Sequence, residues 1–129
     1  AGTGGTSAQI VIEKAGLPGH ATGDKLQPDV GGDANLTPPT YFTVVWERVY
    51  SPTDHDIHFK QCYVDGTTRT AQPSLIENSG AMHRAPRISK SDGDAPAVNQ
   101  FWAVVFQHKY SPTDEDIVAL AAYAGSLPR

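Results

Sequence analysis

The chain has 129 residues, with ten Lys and Arg against fourteen Asp and Glu and a formal charge of −4. That length fits a single domain spanning 1–129, and the acidic balance excludes a broadly basic nucleic-acid binder while allowing a local basic face. One cysteine, Cys62, excludes an intrachain disulfide framework and a cysteine-based zinc site, and twelve Gly with ten Pro favour a turn-rich, β-leaning chain over a helical bundle.

Residues 1–7, AGTGGTS, carry no apolar anchor and read as a flexible arm. No apolar run approaches the ~20 residues of a membrane span, and no basic-then-apolar leader is visible. Removal of an initiator Met and cleavage of a leader would each account for Ala1, and the sequence does not decide between them. Residues 8–15, AQIVIEKA, contain a β-branched run and predict a strand. Residues 16–40 are rich in Gly, Pro, Asp and Thr and read as turns, with a short strand near Lys25–Gln27.

Residues 41–50, YFTVVWERVY, are aromatic and β-branched and predict a strand. Alternation sets Val44, Trp46, Arg48 and Tyr50 on one face and Val45, Glu47 and Val49 on the other. Next comes SPTD, where Pro52 suits the second position of a type I turn and Asp54 can bond nearby amides. The stretch DIHFKQCYV then alternates again, so a hairpin is expected. Residues 65–100 are mostly polar and punctuated, with short strands possible at SLIE and RISK. Residues 101–110, FWAVVFQHKY, predict a further strand, and SPTDED follows it.

After this second phrase the chain reads IVALAAYAGSL, whose Ala and Leu favour helix. Thr113 can cap such a helix, with Asp114, Glu115 and Asp116 in its first turn, Ile117, Leu120, Ala121 and Ala124 as its apolar stripe and Gly125 as its stop. YSPTDHDI at 50–57 and YSPTDEDI at 110–117 thus read as one phrase used for two ends, a hairpin and a helix start. AQIVIEKAG also matches AQPSLIENSG, and Val44-Val45-Trp46 matches Val104-Val105-Phe106. A repeat of 8–65 in 71–126 and a coincidence of turn chemistry both account for these matches.

Candidate chemistry is sparse. His55 and His58, with Asp54 and Asp56, could contribute to a metal site, but an odd spacing on a strand points the two imidazoles to opposite faces. The acidic residues of both phrases are explained by turn and cap positions, and Ser51 and Ser111 lack a nucleophile context. No phosphate-binding glycine loop is present. Cys62 reads as a small buried group. No catalytic residue, metal or cofactor is expected.

The order of elements resembles coat proteins of small single-stranded RNA bacteriophages. AQIVIEKAG would be the opening strand, FTVVWERVYSPTDHDIHFKQCYV the central hairpin, and VNQFWAVVFQHKYSPTDEDIVALAAYAGSL the last strand running into a helix. The resemblance implies an α+β fold, an antiparallel β-sheet meander with a C-terminal helix. It also implies a self-assembling homodimer that builds a capsid shell in a virion. RNA would lie on the sheet face opposite the helix, against Arg48, His58, Lys60, Gln107 and Lys109. The alternative is an all-β sandwich of two similar halves, a secreted or periplasmic module that binds carbohydrate or protein through Trp46, Trp102 or tyrosines. A small metal-dependent enzyme built on His55 and His58 is the third possibility. No membrane partner is expected.

Overall fold

The computed structural model describes residues 11–14, 23–31, 41–63, 65, 67–68, 74–77, 79–89 and 101–123. Seven strands follow in order: β1 (Lys25–Gly31), β2 (Tyr41–Ser51), β3 (Asp54–Tyr63), β4 (Ser74–Glu77), β5 (Met82–Ile88), β6 (Phe101–Ser111) and β7 (Asp114–Tyr123). The sheet order is β1-β2-β3-β5-β6-β7, with β4 paired to β3. All ladders are antiparallel except the β3–β5 junction, a single parallel bridge between His55 and Met82.

The fold is therefore all-β among the described residues, and the expectation of a C-terminal helix is corrected. IVALAAY lies in β7, paired with β6 from Phe101↔Tyr123 to Ser111↔Asp114. Helix propensity is a weak preference of tenths of a kcal/mol per residue, and a full partner strand outweighs it. Thr113 sits in the β6–β7 turn and caps no helix; its amide donates to Ser111 Oγ at 3.3 Å. Thr53 does the same to Ser51 Oγ at 3.3 Å in the first turn. The alternative reading, all-β with two similar halves, fits what is observed. The expected opening strand at 8–15 is not formed over its described part, 11–14. The arm 1–7, Ala124 and Gly125 lie outside the described residues.

The two hairpins superimpose in register. Every β2–β3 pair from Tyr41↔Tyr63 to Val49↔His55 recurs 60 residues later, from Phe101↔Tyr123 to Lys109↔Glu115. Both ladders then slip by one residue at the same place, leaving Tyr50 and Tyr110 as the extra residues before the turn. Proline cannot adopt the positive φ of a tight primed turn, and a bulge takes up the misfit in twist. The strand ahead of each hairpin also matches, with a shift of 58 (25 to 83, 30 to 88). Lys25↔Arg48 and Val30↔Val44 become His83↔His108 and Ile88↔Val104. Each of these strands carries a bulge, and each bulge holds one non-glycine residue at positive φ, Gln27 at 51° and Ala85 at 49°. A proline follows both.

The halves stack face to face. From the first come Val45, Ile57 and Phe59; from the second come Ile76, Ile88, Val104 and Phe106, with Val118 and Leu120 packed against them. By strand parity the first half uses the face of odd-numbered β2 and β3 residues, and the second the even-numbered face of β6 and β7. One face of the first unit thus meets the opposite face of the next. β5 crosses between them: its start is tied to β3, where the His55 amide donates to the Ala81 carbonyl at 3.2 Å, and its end reaches β1, where the Ile88 amide donates to Asp29 Oδ2 at 3.0 Å.

Candidate functional site

The outer face of the first unit gathers its polar and aromatic side chains. Trp46 pairs with His58, Arg48 with Asp56, and Val44 with Lys60 across β2 and β3. The Arg48 guanidinium lies 3.3 Å above the Tyr50 ring, a cation–π contact. Tyr50 Oη meets His58 Nε2 at 3.3 Å, and the Trp46 ring lies 5.9 Å from the His58 ring. Segment 11–14 rests on this face: Trp46 Nε1 donates to Glu13 at 2.6 Å and Lys60 Nζ donates to the Ile12 carbonyl at 3.3 Å. Beside it a hollow of about 190 Å³ is lined by Ile12, Glu13, Lys25, Pro28, Val44 and Trp46. Burial, assisted by Arg48 and Lys25 and opposed by Glu13, pushes the His58 pKa down to about 4. The imidazole is therefore neutral at pH 7.

A second polar cluster lies at the junction of the halves. Glu47 is buried, and its carboxylate accepts from the Ala85 amide at 3.1 Å and meets His55 Nδ1 at 2.6 Å. Arg84 Nε stands 4.0 Å away. His83 Nδ1 donates to the His55 carbonyl at 3.1 Å, and His83 Nε2 meets His108 Nδ1 at 2.8 Å. These contacts tie β3, β5 and β6 together.

The five residues expected to hold RNA are not brought onto one surface. Arg48, His58 and Lys60 share the outer face of the first unit and are all buried. Gln107 and Lys109 lie on the opposite-parity face of β6, with Lys109 3.5 Å from Glu115. The shift of 60 explains this, because Gln107 stands at the position of Glu47 and Lys109 at that of Val49. Trp46, an expected sugar-stacking residue, is buried, and the side chain of Trp102 lies outside the described residues. His55 and His58 fall on opposite faces, and among the described residues no group of three or more His, Cys, Asp and Glu could hold a metal. Cys62 is buried, and that burial pushes its thiol pKa up. Among the described residues no helix is long and apolar enough to cross a membrane.

The end of the stack is the feature that residue-by-residue reading missed. Ile57 is 0% exposed, and its counterpart Ile117 is 72% exposed; Val45 is 0% exposed, and its counterpart Val105 is 38% exposed. At the other end Val30 is 50% exposed where its counterpart Ile88 is 4% exposed. The repeated phrase was the available signal, since equal positions in two stacked units cannot both be interior when the stack stops. No known protein family matches the chain, and no curated protein or solved structure matches it.

Proposed function

We propose that this chain is a structural module that works by associating with further β-sheet surface, and not by catalysis. One observation carries the reading: the β6–β7 face is bare at Val105 and Ile117, where the same face of the preceding unit is sealed at Val45 and Ile57. Solvent-exposed apolar residues on a regular sheet face beside a strand edge favour pairing and stacking. Assembly is the part of the coat-protein expectation kept here. The helix-clasped dimer is dropped, because β7 stands where that helix was expected. RNA is given no role, because its five expected ligands divide between two faces.

Sedimentation velocity over a wide concentration range tests the reading. Species larger than the 13.8 kDa chain should grow with concentration. A single species at chain mass throughout would sink it. Absorbance at 260 nm, read on the same boundary, reports any nucleic acid carried along.

A ligand-binding module is the second reading. It is favoured by a hollow of about 280 Å³ between the two turns, lined by Thr53, Met82, Lys109 and Tyr110 among others. Retention on immobilised glycans, lost on Tyr110→Ala, would favour it over assembly.

A further inference from the structure

We infer that the partner of the bare β7 face is a second copy of this chain, docked head to tail so that the two chains repeat the stacking already present inside one. The inference rests on the assembly reading and adds the partner, the surface and the register. The chain itself supplies the template, because its first unit is the unit that the second one covers.

The two ends correspond position by position to the two faces that meet inside the chain. Inside the chain, odd-numbered residues of β2–β3 pack on even-numbered residues of β6–β7. The odd-numbered face of β6–β7 is left bare, at Val105 and Ile117. The even-numbered face of β2–β3 is the outer face at the other end; its Trp46, Arg48, His58 and Lys60 are buried in the single chain with segment 11–14 lying against them, and Val30 on β1 beside it is exposed. Placing that face of one copy over β6–β7 of another puts Val30 where Ile88 sits inside the chain. An interface that joins one surface to a different one is heterologous; it closes into a ring or grows as a filament, depending on the rotation between copies.

Segment 11–13 supplies the second, independent observation. Ile10-Val11-Ile12-Glu13 matches Ser74-Leu75-Ile76-Glu77 in sequence, a shift of 64 (12 to 76). β4 pairs with the outer edge of β3 through Ile57↔Glu77 and His58↔Leu75, and Ile76 packs in the core with Phe106 of the next unit. Ile12 and Glu13 already rest against Trp46 and Lys60, the counterparts of Phe106 and Leu120. The segment therefore lies on its own unit as β4 lies on the second unit, and what β4 has besides is the edge of β3. Among the described residues no strand pairs with the outer edge of β7. By the template, Ile117 of one copy pairs with Glu13 of the next, and Val118 with Val11, whose side chain is exposed.

The template is not followed at every position: His58 and Lys60 stand where the second unit has Val118 and Leu120, and the corner at Gly31 differs as well. Gly31 packs so closely that a Cβ there would stand 2.3 Å from the Ser89 carbonyl oxygen. Ser89 occupies Gly31's place in the second unit, so the incoming copy stands farther off at that corner than the second unit stands from the first.

The test uses the full chain with Cys62→Ser. One batch carries Val11→Cys, another Val118→Cys, and they are mixed under mild oxidation while mass is followed by sedimentation. The expected result is a mixed disulfide between the two batches, at least tenfold over links within either batch. Ile117→Lys should weaken association at least tenfold with the melting temperature unchanged. Association with only like-to-like links, or undiminished by Ile117→Lys, overturns the head-to-tail copy while leaving the assembly reading intact. A chain that never associates removes both.

Discussion

Gln27 and Ala85 occupy the same bulge in two different strands, each at positive φ and each followed by a proline. Left-handed backbone costs an L-residue roughly 1–2 kcal/mol, so the same strained step is present twice. Glycine removes that strain but loses more freedom on folding. Gln27→Gly and Ala85→Gly should each stabilise the chain by about 0.5–1 kcal/mol, read from urea midpoints. Opposite signs at the two sites would show that the bulges are not equivalent.

Ile57 and Ile117 should respond very differently to the same truncation. Ile57 is sealed in the core, so Ile57→Ala should cost about 2–5 kcal/mol. Ile117 is bare in the single chain, so Ile117→Ala should stay within roughly 0.5 kcal/mol under conditions where the chain is monomeric. Urea unfolding of both variants in dilute solution checks this. A large loss at Ile117 would mean that the β7 face is already covered.

Glu47 should tolerate an amide far better than a methyl. Glu47→Ala leaves the His55 ring nitrogen and the Ala85 amide without their carboxylate partner, and breaking a buried polar pair of this kind costs about 3–5 kcal/mol. Glu47→Gln keeps an acceptor oxygen for one of the two, and glutamine is what stands at the matching position, Gln107. Its cost should be about half as large or less. Equal melting temperatures for the two variants would contradict the assigned bonds.

His58 should make stability depend on pH below neutrality. Its folded pKa is about 4, below the ordinary 6.5. The unfolded chain thus binds the extra proton first, and stability rises with pH across this window. The contribution is complete above about 6.5, falls as pH drops, and is gone near pH 4, a total on the order of 3 kcal/mol. Subtracting the pH profile of His58→Phe from that of the wild type isolates it. A flat difference between pH 4 and 7 would remove the claim.

Much of the sheet was legible and the stacking was not. β2, β3 and β6 could be read because aromatic and β-branched residues alternate there. β7 was misread because VALAAYA has the local preference of a helix, and only its pairing with β6 overrides that preference. β1 was only partly visible, since Pro28 sits inside it at a bulge that removes the need for a regular ladder. For the candidate site, alternation within each strand put Arg48 with Trp46 and His58 with Lys60, and only the β2–β3 register joins the two pairs on one face. Alternation could not set β6 in the same frame, although the 60-residue spacing of YSPTD already matched Gln107 to Glu47.

Both SPTD turns end their hairpins on the same side of the molecule, with Thr53 on one wall of the hollow between them and Ser111 and Pro112 on the other. In a head-to-tail array every unit would bring one such turn to a common rim, with an exposed tyrosine from each bulge beside it. The rim would then act as a ruled line of evenly spaced, nearly identical grips. A partner with several weak contacts at that spacing would hold such a line far more tightly than any single turn, because each contact after the first is made at high effective concentration.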